Sequence, residues 1–227
     1  KVFKKNNEDF EKMVSKGERS QSTYYKYKIV YNHLKEFITY RYYRDDMAFR
    51  ELTCDFIREF DLFLRVDKGC THNTVWVYTM PLYRVAEIAI KNGLIRRNPF
   101  EDYEISMKEN DRSYLLKEHV ETLLFHTPTK ERYELVKDLF IFSCFTGLSY
   151  IDIKKLKKSN IQSFFDGHEW IISRRQKSDV ASNVRLMEIP KRLIEKYAGI
   201  TRNDFIFPVP TNKICNSYID KLIQEVE

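Results

Sequence analysis

"CFTGLSYIDIKKL", residues 144–156, is the place where one apolar helix stops and another starts, and its punctuation sets the layout of the second half of the chain. Upstream, "LVKDLFIFSCF" is almost continuously apolar, which predicts a buried core helix over 132–146. Gly147 ends it, because glycine accepts the left-handed conformation that closes many helices. Ser149 then opens a new helix, with Asp152 three residues on in a capping-box arrangement ahead of Ile153 and Leu156.

Past Asn160 the pattern changes from helical to alternating. "IQSFF", "EWIIS" and "NVRLMEI" are short runs rich in β-formers, the first two joined by Asp166 and Gly167 as a hairpin turn. Pro190 begins a further helix, residues 204–208 read as extended, and "NKICNSYIDKLIQEV" is helical again. One more helix precedes the quoted stretch, over 117–126.

The front half is helical. Residues 23–42 place Tyr27, Val30, Tyr31, Leu34, Phe37 and Ile38 on one stripe, with Ser22 as the cap and Arg41 marking the end of the buried face. A second helix follows Thr53, with Phe56, Ile57, Phe60 and Phe63 inward and Asp55 in the first turn, where the helix dipole favours an acid. A third runs over 71–92, with Val75, Tyr78, Leu82, Val85 and Ile88 on its stripe and Gly93 as its stop. Pro81 lies inside it and is expected to kink it. A shorter helix occupies 2–15. After "RRNPF" the run "EDYEISMKENDRS" is polar, acidic and aperiodic, so the expected division is a helical domain over 1–100, a linker over 101–113 and a second domain over 114–227.

Composition limits what this chain can be. With 43% hydrophobic and 32% charged residues in 227, it can build two cores, and no run approaches the roughly 18 apolar residues that span a bilayer. The Lys-rich start lacks the apolar stretch of a signal peptide, so a cytoplasmic protein without membrane contact is expected. The four cysteines contain no close pair, which argues against a metal centre, and three lie in apolar or helical surroundings that suit reduced core thiols.

The net charge of +6 is unevenly spread. Residues 1–100 carry 19 basic and 13 acidic side chains, residues 101–147 carry 6 and 10, and residues 151–192 carry 10 and 5. Two positive zones flanking a negative one suit a polyanion such as duplex nucleic acid, while solvated helix faces are the plainer reading of the same numbers.

Four stretches in this order, "STYYKYKIVYNHLKEF", "THNTVWVY", "CFTGLSYIDIKKL" and "RRQKSD", resemble the tyrosine site-specific recombinases of the phage integrase family, in particular the integrases of conjugative transposons. The resemblance covers nearly the whole chain. It implies a mainly α fold with a small antiparallel sheet, in which a helical core-binding domain precedes an α+β catalytic domain. It also implies DNA strand exchange through a 3'-phosphotyrosine, without metal or cofactor, by a tetramer on a duplex attachment site.

Carried over by position, the match is partial. The family's first arginine follows Thr-Gly-Leu, where this chain has Ser149, as the conjugative-transposon branch does; the carboxylate three residues later matches Asp152. The hairpin lysine that protonates the departing 5'-oxygen matches Lys177. The family's His-x-x-Arg motif fits none of His33, His72, His119, His126 and His168, and Tyr197 and Tyr218 lie too early to be the nucleophile. The resemblance therefore implies a fragment that stops short of its second arginine and nucleophile, monomeric and inactive by itself. A non-catalytic DNA-binding relative that occupies recombination sites is the alternative.

Expected DNA contacts are Thr71, Asn73 and Thr74 at a helix N-terminus, where backbone N–H groups and short polar side chains suit phosphate. Lys26, Lys28, Arg41 and Arg44 decorate the 23–42 helix and its end, Arg174 and Arg175 flank the hairpin, and Lys154, Lys155, Lys157 and Lys158 crowd the end of the helix that Ser149 opens.

Overall fold

The computed structural model describes residues 1–110, 114–201 and 203–226. It divides into two compact units, Lys1–Asp111 and Arg112–Glu227.

The first unit is a helical bundle of α1 (Val2–Ser15), α2 (Gln21–Tyr42), α3 (Cys54–Val66) and α4 (His72–Lys91). Its centre is aromatic. Phe37 of α2, 2% exposed, has ring centroids 5.3 Å from Phe56, 5.4 Å from Phe60 and 5.3 Å from Phe63, so α2 and α3 interlock through one ring. Aromatic contacts at such separations add to the area term, and each buried ring contributes roughly 1.5–3 kcal/mol. α4 closes the bundle with Val75, Leu82 and Val85.

Local capping departs from expectation in one place. α2 starts at Gln21, and its cap is Ser20, whose hydroxyl accepts from the Thr23 N–H at 3.2 Å; Ser22 already lies inside the helix. Two serines in tandem offer the same chemistry, and the backbone hydrogen bond decides between them. Thr53 caps α3 as expected, its hydroxyl accepting from the Phe56 N–H at 3.3 Å. On α4, Pro81 is buried within the helix, whereas Ile88, expected on the buried stripe, is 37% exposed. Ala86 and Ala89 are buried in its stead, because the helix presents its small residues to the bundle near this end.

Residues 101–110, expected as linker, lie along the first unit. Tyr103 and Ile105 pack against its core, the Tyr103 hydroxyl donates to Asp61, and the Asn73 side chain pairs with the Lys108 backbone. The last three positions of that expected linker, 111–113, lie outside the described residues.

The second unit is built on α6 (Glu131–Thr146), surrounded by α5 (Lys117–Phe125), α7 (Tyr150–Lys154), α8 (Glu188–Lys196) and α9 (Asn212–Val226). Gly147 closes α6 with φ +63°, a conformation that costs residues with a Cβ far more than glycine. Beside the helices lies a three-stranded antiparallel sheet in the order β1 (Ile161–Ser163), β2 (Glu169–Arg174), β3 (Ala181–Arg185). Ile171, fully buried, pairs with Ile161 on one side and Val184 on the other, and this face seats the sheet on the helical core.

The strands are shorter than their sequence runs. "IQSFF" pairs only through Ser163; Phe164 enters the turn and Phe165 is fully exposed. Asp166 explains the stop, since its carboxylate accepts from the His168 N–H at 3.0 Å and the Trp170 indole at 3.2 Å, holding the chain in a turn around Gly167. Pro190 falls in the first turn of α8 rather than at its start, a position where its missing N–H costs nothing. The expected extension at 204–208 is a single bridge, Lys157 with Phe205.

Of the four free thiols only Cys215 is buried, and Cys144 is exposed, on the outer side of α6. Among the described residues no helix is long and apolar enough to cross a membrane, and no His, Cys, Asp and Glu cluster could hold a metal ion.

Candidate nucleic-acid interface and phosphate site

The sharpest local arrangement in the second unit forms around one carboxylate. Asp152, in the first turn of α7 and 6% exposed at its side chain, accepts from the Ser149 hydroxyl at 2.7 Å and the Ser149 N–H at 3.3 Å. Its other oxygen, Oδ1, accepts from the Gln176 N–H at 2.9 Å, while Arg175 Nη1 approaches Oδ2, the oxygen bound by Ser149, at 3.4 Å. Burial by itself raises a carboxyl pKa. Here the Gln176 N–H, the two Ser149 donors and the Arg175 charge outweigh it and hold Asp152 below the usual carboxylate range.

This carboxylate ties two elements that are distant in sequence. Ser149 and Asp152 belong to the start of α7, while Arg175 and Gln176 belong to the turn between β2 and β3. The turn is braced from within: the Arg175 N–H donates to the Val180 carbonyl and the Asp179 N–H donates to the Arg175 carbonyl, both at 2.8 Å. Asp179 reaches φ +54° to make it. Lys155 adds a further tie from α7's end, donating to the Gln176 side-chain oxygen. Lys177 follows at the exposed tip of the braced turn.

The structure thus brings Ser149 and Asp152 together with Arg175, which lies 26 and 23 residues from them in sequence, and Lys177 follows two residues on. Arg174 is directed elsewhere. Its guanidinium makes a two-pronged pair with Asp179 at 2.9 and 3.1 Å. Gln176 and Lys155 escaped the sequence reading as members of this site. The Gln176 contribution is a backbone N–H, which any non-proline residue carries, so no residue-type signal marks it.

In the first unit the expected cationic contacts fall into two groups. Lys26 and Lys28 are exposed on α2, with no ion-pair partner among the described residues. Arg41 and Arg44 are engaged: Arg41 forks onto Glu59 with two hydrogen bonds of 3.1 Å, and Arg44 meets Glu51 at 2.7 Å. Glu59 also accepts from the Tyr42 hydroxyl at 2.9 Å, and burial together with that carboxylate pushes the phenol up to about 12. At the N-terminus of α4 the Thr71 and Thr74 hydroxyls are 2.9 Å apart. Asn73 pairs through both ends of its amide with Lys108, at 3.0 Å to the carbonyl and 2.9 Å from the N–H, and so anchors residues 106–110.

Neither tyrosine set aside by position is presented for chemistry. Tyr197 is 7% exposed and its hydroxyl donates to Asp138 at 2.8 Å, and burial with that neighbour raises its pKa well above the usual phenol range. Tyr218 packs on Tyr133, with ring centroids 4.7 Å apart.

Residues 1–105 match the family model of the phage integrase SAM-like domain. Three solved structures share the fold. The lambda integrase dimer bound to a COC' core site aligns with TM-score 0.72 and 14% identity, over 96% of this chain and 76% of that one. The Tn1549 transposon integrase in complex with circular intermediate DNA gives 0.72 and 13%, over 99% and 76%. The XerH site-specific recombinase bound to difH gives 0.64 and 16%, over 89% and 62%. No curated protein matches the chain. Residues 1–105 thus carry the likeness to the phage integrase SAM-like domain, and the chain shares its fold with these solved integrases and recombinases.

Proposed function

We propose that the chain is the core-binding domain and the first part of the catalytic domain of an integrase that cuts and rejoins duplex DNA through a 3'-phosphotyrosine. The observation that carries this reading is the β2–β3 turn, fixed on α7 by Asp152 with Lys177 at its tip. A turn braced by backbone hydrogen bonds and anchored by a buried carboxylate fixes the backbone that carries Lys177 before any ligand arrives. Preorganised charge of that kind is what phosphoryl transfer requires. The relatives were solved on a core site, a circular intermediate and difH, so the ligand proposed for this chain is a duplex attachment site.

In this reading Lys177 protonates the departing 5'-oxygen. An alkoxide leaves poorly at neutral pH, and a positioned acid contributes on the order of 100- to 10,000-fold. The nucleophilic tyrosine and a second arginine come from sequence that follows residue 227, and assembly is as a tetramer on DNA. The test uses the protein extended by that sequence, on nicked attachment-site DNA that traps the covalent adduct on a denaturing gel. Lys177→Ala is expected to slow adduct formation by about that factor and to recover on a 5'-bridging phosphorothiolate, whose sulfur departs without a proton. A variant that stays slow on the sulfur substrate removes Lys177 as the acid. Tight binding with no adduct from the unaltered protein would favour a non-catalytic occupant of the same sites.

A further inference from the structure

Resting on the recombinase reading above, we propose that Lys155 and Gln176 are positioning residues for the proton transfer: the Lys155 ammonium, at the C-cap of α7, holds the Gln176 side chain and so fixes where the neighbouring Lys177 delivers its proton.

Asp152 and Lys155 stand three residues apart, so they share one face of α7. That face grips Gln176 twice, and the two grips are opposite in kind. Asp152 Oδ1 accepts from the Gln176 N–H at 2.9 Å, and the Lys155 ammonium donates to Gln176 Oε1. An ammonium offers donors only, so it also decides how the amide turns, with its oxygen toward α7. The Lys155 backbone is itself held, its N–H donating to the carbonyls of Ile151 and Ile153.

Gln176 is thus tied through main chain and side chain, and Lys177 is the next residue. Lys177 has little of its own to hold it, being exposed and without an ion-pair partner among the described residues. The backbone bonds of Arg175 with Val180 and Asp179 close the base of the turn. The Gln176 N–H then fixes one point nearer the tip, about which the tip can still pivot. The Lys155 tie supplies a second point, and two points remove the pivot.

Both side chains of the tie are exposed. A tie between long exposed side chains adds little to stability, because it costs their freedom in a medium of high dielectric. Its effect falls on placement, where sensitivity is greater: a misplacement of about 1 Å can cost about 100-fold in rate. In the step itself a phenol oxygen of the enzyme bonds to phosphorus and gives its proton to water. The phosphorus–O5' bond breaks, and its electron pair stays on O5', which takes a proton from the Lys177 ammonium. Lys155 and Gln176 gain and lose no proton.

The experiment again uses the protein extended past residue 227, on nicked attachment-site DNA. Lys155→Met and Gln176→Met keep much of each side chain's length and lose the tie. Each is expected to slow adduct formation by about 10- to 100-fold, with thermal unfolding unchanged. On the 5'-bridging phosphorothiolate, which needs no proton, each is expected to match the unaltered protein. The double variant is expected to be no slower than either single one, since both remove one contact. Lys155→Arg, which keeps a donor for the amide oxygen, is expected to recover most of the rate lost in Lys155→Met. Full-speed cleavage of ordinary DNA by Gln176→Met would overturn the proposal. So would an equal defect on both substrates, or a defect confined to Lys155→Met that follows lost DNA affinity, the signature of a plain phosphate contact. If Lys177→Ala itself fails to recover on the sulfur substrate, the acid reading fails, and this inference with it; recovery of Lys177→Ala beside full-speed Lys155→Met and Gln176→Met sinks this inference alone.

Discussion

Asp152 meets four donors from two elements while almost wholly buried, so its ionisation is coupled to how firmly the β2–β3 turn is held. Its pKa is depressed in the folded state, so it contributes stability that is fully present above the unfolded value of about 3.9 and is lost as pH falls through the lower folded value. Asp152→Asn is therefore expected to lower the stability of the second unit by about 1–3 kcal/mol at neutral pH, the cost of hydrogen bonds to a charged group, and to narrow the gap as pH falls below about 4. Amide exchange supplies the local readout: the Gln176 N–H should exchange faster in the variant. Unchanged exchange at Gln176 would mean that the turn holds itself without the carboxylate. Spacing within "TGLSYID" marked Ser149 and Asp152 as a capping box, and the family resemblance singled out Lys177 in "RRQKSD". The connection between them was not legible in the sequence, because it runs through a backbone N–H and through an arginine that looks no different from Arg174 beside it.

At the scale of elements, periodicity located the helices, and errors gathered where two residues compete for one task. Ser20 and Ser22 are chemically equivalent as caps; only the path of the backbone distinguishes them. The outward Ile88 and the exposed Phe165 show the same limit, since apolar character marks a residue as able to be buried without requiring it. By contrast, Phe37 was legible because it stands on the apolar stripe of α2 with Val30, Leu34 and Ile38. Its ring sits among Phe56, Phe60 and Phe63, so Phe37→Ala should cost about 3–5 kcal/mol, whereas Thr53→Ala, which removes only the α3 cap, should cost about 1 kcal/mol. Denaturant unfolding of the first unit measures both. A Phe37→Ala loss no larger than that of Thr53→Ala would show that the bundle repacks around the missing ring and that the aromatic centre is not what joins α2 to α3.

Over the whole molecule the question is which of the 39 cations are available to a polyanion. Counting them, as sequence allows, gives a positive first domain and a positive stretch at 151–192, but counting treats Arg41 and Lys26 alike. The structure separates them: Arg41 is neutralised by Glu59 and Arg44 by Glu51, while Lys26 and Lys28 stand exposed, as do Lys154 at the end of α7 and Lys157 and Lys158 beyond it. Each phosphate neutralised by a free cation releases condensed counterions, so log K for duplex DNA should fall against log salt with a slope of about −0.9 per contact, roughly −4 to −8 in all. The slope should also respond unequally to mutation. Lys26→Ala and Lys28→Ala should each make it shallower by about one, because each removes a cation with nothing else to bind. Arg41→Ala should change it less, because binding through Arg41 first requires giving up Glu59, and the carboxylate it leaves behind repels the same phosphate. Fluorescence anisotropy on a labelled duplex between low and moderate salt measures all three. Binding that does not weaken with salt would return these lysines to solvated helix faces, and equal effects from Arg41 and Lys26 would show that the Arg41–Glu59 pair opens on DNA.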